Sequence, residues 1–241
     1  MTKRLVFVPY KNGLGGLSLI KEKLKKMDAK VLEIKKEGSR YQQKRKDLSI
    51  VWGVPHGGKI QQMSRFRDSA VPCSNFTTDR AVAQEWIDSG IRILARTILN
   101  GHGGAGIVVV NRGDELPQAP LYVTYTPKQR EFRVHYLNGQ IKVREKRRRA
   151  GWEELEGFNK YVRNHDNGWV FCDELNGDLP EGCLDTVRRA ITANGLLFGA
   201  VDLGYHHGTG WNVYEVNTAP GCDNATAQWY AERFMELANE N

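Results

Sequence analysis

Three oxygen-bearing side chains near the C-terminus, Asp202, Glu215 and Asn217, fall on two segments that read as strands, Leu196–Leu203 and Trp211–Val216. Side chains alternate along a strand, so Glu215 and Asn217 share a face. A turn near Gly208 and Thr209 sets Asp202 across from Glu215. Three oxygen donors then converge, a set that suits Mg2+, which prefers hard oxygens, keeps several waters and bridges nucleotide phosphates. Two carboxylates pressed together without a cation repel one another. The plainer reading is a pair of surface carboxylates on a hairpin. The apolar neighbours Val201, Leu203, Val213 and Val216 argue instead for a hairpin set into the core.

A second feature is the run Gly101-His102-Gly103-Gly104-Ala105-Gly106, which satisfies GxGxxG. A dinucleotide fingerprint needs a helix after that loop, because the helix N-terminus holds the pyrophosphate. Here Ile107–Val110 follows, which reads as strand. The GxxxxGK[ST] pattern of a P-loop is absent, as are the HRD and DFG motifs of protein kinases. What remains is strand, glycine loop, strand. Such a loop can fold over a triphosphate and offer backbone N–H groups; it is equally an ordinary glycine-rich hairpin. His102 could meet phosphate, or be solvated.

The elements that must position these residues follow from periodicity. Residues 4–10 read as a strand. Leu17, Ile20, Leu24 and Met27 recur at helical spacing, and Val31–Ile34 and Leu48–Trp52 read as strands, giving a small α/β opening unit. Lys35 to Lys46 reads as a surface loop, and Gly53–Gly58 as a loop after a strand. Thr77 and Thr78 can cap a helix that runs to about Ser89 and closes at Gly90. Ile91–Leu99, Ile107–Val110 and Leu121–Tyr125 read as strands. Glu131–Leu137 and Gln140–Arg144 flank Asn138-Gly139, a type I′ hairpin signal. Leu184, Val187, Ala190 and Ile191 mark a helix ending at Gly195, and another starts near Asp223. The expected class is α+β.

The 241 residues are 40% hydrophobic and 26% charged, a globular profile. No apolar run approaches the roughly 20 residues that span a bilayer, so neither a membrane protein nor an exported one is expected. Cys73, Cys172, Cys183 and Cys222 form no CxxC pair, which points to reduced thiols in a cytoplasmic protein. Cys222 reads as a buried thiol. The net charge is +7 and uneven: residues 1–50 hold 14 Lys and Arg against 5 Asp and Glu, and Lys142–Arg149 carries six cations and one carboxylate. Two basic patches fit an anionic partner, such as nucleotide phosphates, DNA or an acidic peptide, or simply a solvated basic face.

Together these features resemble the ATP-grasp superfamily, with the nearest likeness to the ribosomal-protein glutamate ligase type and to ATP-grasp proteins of tailed phages. The resemblance runs from Arg96-Thr97-Ile98-Leu99-Asn100 through the glycine loop and Lys128–His135 to Gly199–Asp202 and Glu215-Val216-Asn217-Thr218-Ala219-Pro220-Gly221, over roughly residues 75–225. It implies an ATP-grasp fold of two α+β lobes clasping ATP: an N-terminal unit over 1–74, a lid over 75–122 and a C-terminal subdomain over 123–241. It implies that Arg96, Asn100, Gly101, His102, Gly103, Gly104 and Gly106 face the nucleotide phosphates. Val123 and Tyr125 would meet adenine, and Lys128 the ribose or phosphates. Asp202, Glu215 and Asn217 match the family's Mg2+ ligands, holding two ions, with Mn2+ an alternative. Arg133, and Lys146 or Arg148, match catalytic positions that face the phosphates and acyl intermediate. The family usually has Lys where Arg96 stands, and some relatives have Arg where Ala200 stands.

The implied chemistry is ATP-dependent ligation. A carboxylate is phosphorylated to an acyl phosphate, an amine attacks it, and ADP and phosphate leave. The partners implied are ATP, a carboxylate substrate and an amine acceptor, in the cytoplasm, the host's if the chain is phage-encoded. Three other readings stay open: an ATP-grasp enzyme that modifies DNA bases, a phosphotransferase acting on a hydroxyl, and a non-catalytic nucleotide- or nucleic-acid-binding module.

Overall fold

The chain opens with a parallel sheet. In the computed structural model, which describes residues 3–9, 15–34, 42–54, 57–99, 104–155 and 161–240, β1 (Arg4–Pro9) lies between β2 (Val31–Glu33) and β3 (Asp47–Trp52). α1 (Gly15–Lys26) supplies the crossover that a parallel pair requires. Its Leu17, Ile20 and Leu24 bury against Leu5 and Phe7, as their helical spacing implies. The chain then enters α2 (Gly58–Asp68), a helix absent from the sequence reading.

A four-stranded antiparallel sheet follows, ordered β4 (Phe76–Thr77), β7 (Leu121–Thr124), β5 (Ile93–Arg96), β6 (Ile107–Val110). One helix, α3 (Arg80–Asp88), packs on it through Ala83 and Ile87. The cap of α3 is Asp79, whose side chain accepts the Ala81 N–H at 2.8 Å. Thr77 and Thr78 do not cap it. The hydroxyl of Thr77 instead accepts the Asp79 N–H, fixing the turn that presents the cap.

The largest sheet is antiparallel and five-stranded. Its strands are β8 (Arg130–Leu137), β9 (Gln140–Arg148), β10 (Trp169–Cys172), β11 (Phe198–His206) and β12 (Gly210–Asn217), ordered β10-β9-β8-β11-β12. Asn138 and Gly139 have φ of 48° and 79°, the positive pair that a type I′ turn demands. One face of this sheet is mainly apolar: Phe132, Val134, Val201, Leu203 and Val213 bury against Val187, Ala190 and Ile191 of α4 (Cys183–Ala193), with an Arg130–Glu145 ion pair beside Phe132. The final helix, α5 (Asn224–Asn239), carries Tyr230, Ala231 and Phe234 into the core of the opening unit, where Phe7 and Phe234 meet edge to face with ring centroids 5.5 Å apart.

One strand edge is closed by a side chain. β12 is the outer strand of its sheet. The Gln62 amide of α2 donates to the Val216 carbonyl at 3.0 Å and accepts the Val216 N–H at 2.9 Å. It does what a sixth strand would do, satisfying backbone groups that burial would otherwise leave unpaired. Gln62 is 2% exposed, so both bonds are made away from water. Gln62→Ala is therefore expected to cost about 2–3 kcal/mol in urea unfolding, the sum of two buried groups left unsatisfied; a loss under about 0.5 kcal/mol would contradict this role.

Candidate active site

The polar face of the five-stranded sheet is built by strand alternation. Glu215 on β12 pairs with Asp202 on β11, Asp202 with Arg133 on β8, and Arg133 with Arg144 on β9. A single row of charged side chains thus crosses four strands, spaced about 4.8 Å apart. The pairing shifts register between Asp202 and Leu203: Asp202 faces Glu215, and Leu203 faces Val213. Tyr214 is the extra residue of this bulge. Gly204 leaves room for it, because a Cβ there would collide with the Tyr214 ring.

Every charge in the row has an answer. Arg133 grips Asp202 with both arms of its fork, Nε to Oδ1 and Nη2 to Oδ2, each at 2.7 Å. Lys59, from the first turn of α2, reaches Glu215 with its ammonium. The Asn217 amide lies 3.5 Å from the other Glu215 oxygen. Burial alone would raise the Glu215 pKa; Lys59, Arg133 and Arg96 outweigh it and bring the carboxyl down to about 2. Burial, with Glu215 adding to it, raises Asp202 against the pull of Arg133. Burial also lowers Arg96 at the end of β5, and Glu215 partly offsets that. The four-stranded sheet thus brings Arg96 to the same carboxylate that the five-stranded sheet and α2 address.

Beside this row a second cluster forms around Glu131, which is 5% exposed. Its carboxylate lies 2.9 Å from the Lys128 ammonium and 2.6 Å from that of Lys146. Lys146 also donates to the Arg163 carbonyl at 2.7 Å, and Arg163 donates to the Lys128 carbonyl at 2.9 Å. Burial favours the neutral acid at Glu131, but Lys128 and Lys146 overcome it and hold the pKa below the usual carboxylate range. Farther along β9, the Arg148 guanidinium lies 3.9 Å from the centre of the Trp152 ring and 4.4 Å from that of Trp169. A cleft of about 380 Å³ is lined there by Lys146, Arg147, Arg148, Arg163 and Trp169 among others.

The structure therefore gathers Asp202, Glu215, Asn217, Arg133 and Arg96 at one place, and Lys128 and Lys146 next to it. Arg148 belongs to the aromatic stack beyond them. Asn100, Gly101, His102 and Gly103 lie outside the described residues. Gly104 and Gly106 have φ of 87° and 74°, where a side chain is strained. A Cβ at Gly104 would stand 2.7 Å from Val162, and one at Gly106 2.7 Å from Ile98. Val123 is buried with Met63 and Leu121. The N–H groups of Thr124 and Tyr125 are bonded to the carbonyls of Asn75 and Arg92. What this bend presents is aromatic: Tyr125 and Tyr161 meet edge to face at 5.3 Å, with Arg92 over both rings.

Lys59, Glu131 and Arg163 are site residues that sequence reasoning missed. Glu131 stands inside the Lys128–His135 segment but had no assigned role. Lys59 follows the Gly57-Gly58 turn and carries no motif. Three of the six cations in the run 142–149 are answered within the fold: Lys142 and Arg144 pair with Asp173, Arg144 also with Asp223, and Lys146 with Glu131. Burial first, then Asp223, pushes the Cys222 thiol up to about 12, which makes it a poor nucleophile.

A divalent cation fits the trio on chemical grounds. Two carboxylates and an amide oxygen are hard donors, and two or three protein ligands are what Mg2+ takes when phosphates and water complete its shell. Among the described residues, no three or more His, Cys, Asp or Glu side chains gather as a self-sufficient metal cage.

The depressed Glu131 pKa has a consequence for stability. A carboxylate that ionises more readily when folded contributes stability above its ordinary pKa of 4.5 and loses it as pH falls through the lower folded value. Melting temperature is expected to fall as pH drops below about 4.5, and Glu131→Gln is expected to flatten that acid limb while lowering stability at pH 7. An unchanged acid limb in Glu131→Gln would show that Lys128 and Lys146 do not depend on this carboxylate.

No protein-family model matches the chain, and no curated protein does. Solved structures do. The ATP-grasp ligase PsnB, complexed with a minimal precursor, Mg and ADP, superposes with a TM-score of 0.66 at 12% identity, covering 100% of this chain and 99% of that one. The macrocyclase MdnB from Microcystis aeruginosa MRC gives 0.57 at 14% identity, covering 99% and 100%. D-alanyl-alanine synthetase A from Vibrio cholerae O1 biovar eltor gives 0.58 at 16%, covering 100% and 95%. At these identities the likeness is one of fold. From end to end the chain has the α+β fold of the ATP-grasp ligases, and the charged row lies on the main sheet of that fold.

Proposed function

We propose that this protein is an ATP- and Mg2+-dependent ligase that joins a carboxylate to an amine through an acyl phosphate. The observation that carries the reading is the charged row: Asp202, Glu215 and Asn217 set together on two strands, with Arg133, Lys59 and Arg96 converging on the carboxylates from three other elements. Carboxylates alone would suit a structural cation. Cations alone would suit any anion. The combination suits a metal–polyphosphate, whose two charge signs need both.

In this reading Asp202, Glu215 and Asn217 hold Mg2+, which when bound neutralises charge on the phosphates. Arg96 and Arg133 face the transferred phosphoryl group, with Arg133 held in orientation by the Asp202 fork. Gly104, Gly106 and the rest of the glycine loop cover the phosphates. The base lies by Val123 and the Tyr125–Tyr161 pair, and Lys128 and Lys146, fixed by Glu131, address the ribose and phosphates. A donor carboxylate oxygen attacks the γ-phosphorus, and the bond to the bridging oxygen breaks, so that ADP leaves with the electron pair. The acceptor nitrogen then attacks the acyl carbon and loses a proton. Phosphate departs and an amide remains. A lid closed over this sequence keeps water from the acyl phosphate.

A peptide is the favoured substrate. PsnB is seen with the precursor peptide PsnA2 and AMPPNP, and an ATP-grasp ligase from Chryseobacterium gregarium with ADP and a leader and core peptide. Of the two basic patches that suggested DNA, the run 142–149 has three of its six cations taken up within the fold, with Lys142, Arg144 and Lys146 on Asp173, Asp223 and Glu131.

The test is Mg2+-dependent ATP turnover across pooled peptides and amino acids, reading both nucleotide products and product mass. ADP and a product lighter by one water than its two reactants are expected. Asp202→Asn and Glu215→Gln are expected to lower kcat by about 10²–10³ with melting temperature retained. AMP with pyrophosphate, a phosphorylated acceptor, or full turnover in either variant would contradict the proposal.

A further inference from the structure

We infer that Lys59 is an exchangeable counter-ion of the carboxylate pair: its ammonium competes with a divalent cation for Glu215 and yields that carboxylate when the cation binds. The inference rests on the reading of Asp202, Glu215 and Asn217 as metal ligands, and it gives the opening unit of the chain a part in the site.

The contact is not needed to hold α2 in place. That helix is already fixed by the two Gln62 bonds to Val216 and by Phe66, which is fully buried among Phe132, Val187 and Val201. Lys59 precedes Gln62 by three residues, so both project from the same side of the helix. Docking Gln62 on Val216 therefore delivers Lys59 to the neighbouring residue, Glu215. A partly exposed ion pair adds little stability by itself, and these side chains are 20% and 30% exposed. Its worth lies in charge. Asp202 is gripped by Arg133 through both oxygens, and Glu215 on the facing strand needs a cation of its own.

The residue type matters. Asp202 has an arginine, whose rigid fork locks a carboxylate in one orientation. Glu215 has a lysine, a compact charge on a flexible stem. A compact cation beside a carboxylate competes directly with a metal ion for the same oxygen. Arg96, which faces Glu215 from the lid, and Arg133 remain as fixed positive charge after Lys59 withdraws.

The test measures Mn2+ binding to the nucleotide-free full chain by the loss of the free-ion paramagnetic resonance signal, a readout independent of turnover. Wild type is compared with Lys59→Gln, Lys59→Arg and Glu215→Gln, and the fold of each is checked by its melting temperature. Lys59→Gln is expected to bind Mn2+ about tenfold more tightly, because one competing charge is gone, and Lys59→Arg to bind more weakly than wild type, because its fork holds the carboxylate more firmly. Binding in Lys59→Gln that is equal to or weaker than wild type, where Glu215→Gln abolishes it, would overturn the role of Lys59 and leave the metal site standing. Mn2+ binding that Glu215→Gln does not weaken would overturn the metal reading and this inference with it.

Discussion

Two carboxylates that face each other on neighbouring strands can be folded inward only if cations stand beside them. Asp202 and Glu215 are such a pair. The rest of the site can be understood as the answer to their charge. Arg133 comes from the next strand, Lys59 from a helix far away in sequence, and Arg96 from another sheet. Each is delivered by a different element, so the site is assembled only when all three layers have folded against one another. The same requirement makes it a place where a metal ion and a polyphosphate can replace part of the internal charge balance.

The fold divides labour between the two faces of the main sheet. The face toward α4 is mainly apolar, with the Arg130–Glu145 pair on it, and contributes packing. The other carries the charged row, the Glu131 cluster and the Arg148 stack. Strand alternation produces this division, and the bulge after Asp202 keeps Glu215 opposite Asp202 while admitting Tyr214. Glu131 has a supporting part: it neutralises two lysines and holds them close, a placement that neither could keep without a buried carboxylate.

Much of this was legible in the sequence, and the reason is local. That Glu215 and Asn217 share a face follows from a period of two, but Asp202 stands opposite Glu215 only because of the bulge at Tyr214: the turn, which pairs His206 with Gly210, would by itself set Asp202 against Tyr214. The Asn138-Gly139 hairpin follows from the need for two positive φ angles. α2 was missed because it starts directly after glycines and offers just Ile60, Met63 and Phe66 as an apolar stripe in an otherwise polar segment. β10 was missed because four residues beyond a polar stretch show no period. Lys59 carried no signal, since its partner lies 156 residues away. The cap at Asp79 was displaced from Thr77 and Thr78 because the Thr77 hydroxyl is used in the preceding turn. Misses of this kind arise where tertiary contact, not local pattern, decides.

The most direct measurement is a crystal structure of the chain with Mg2+ and a non-hydrolysable ATP analogue. The account predicts a cation bridging Asp202, Glu215 and Asn217 to the phosphates, with Arg96 and Arg133 on the phosphate oxygens and the base beside Val123 and Tyr125. A nucleotide bound elsewhere, with the Lys59–Glu215 pair intact and no cation between the carboxylates, would contradict it.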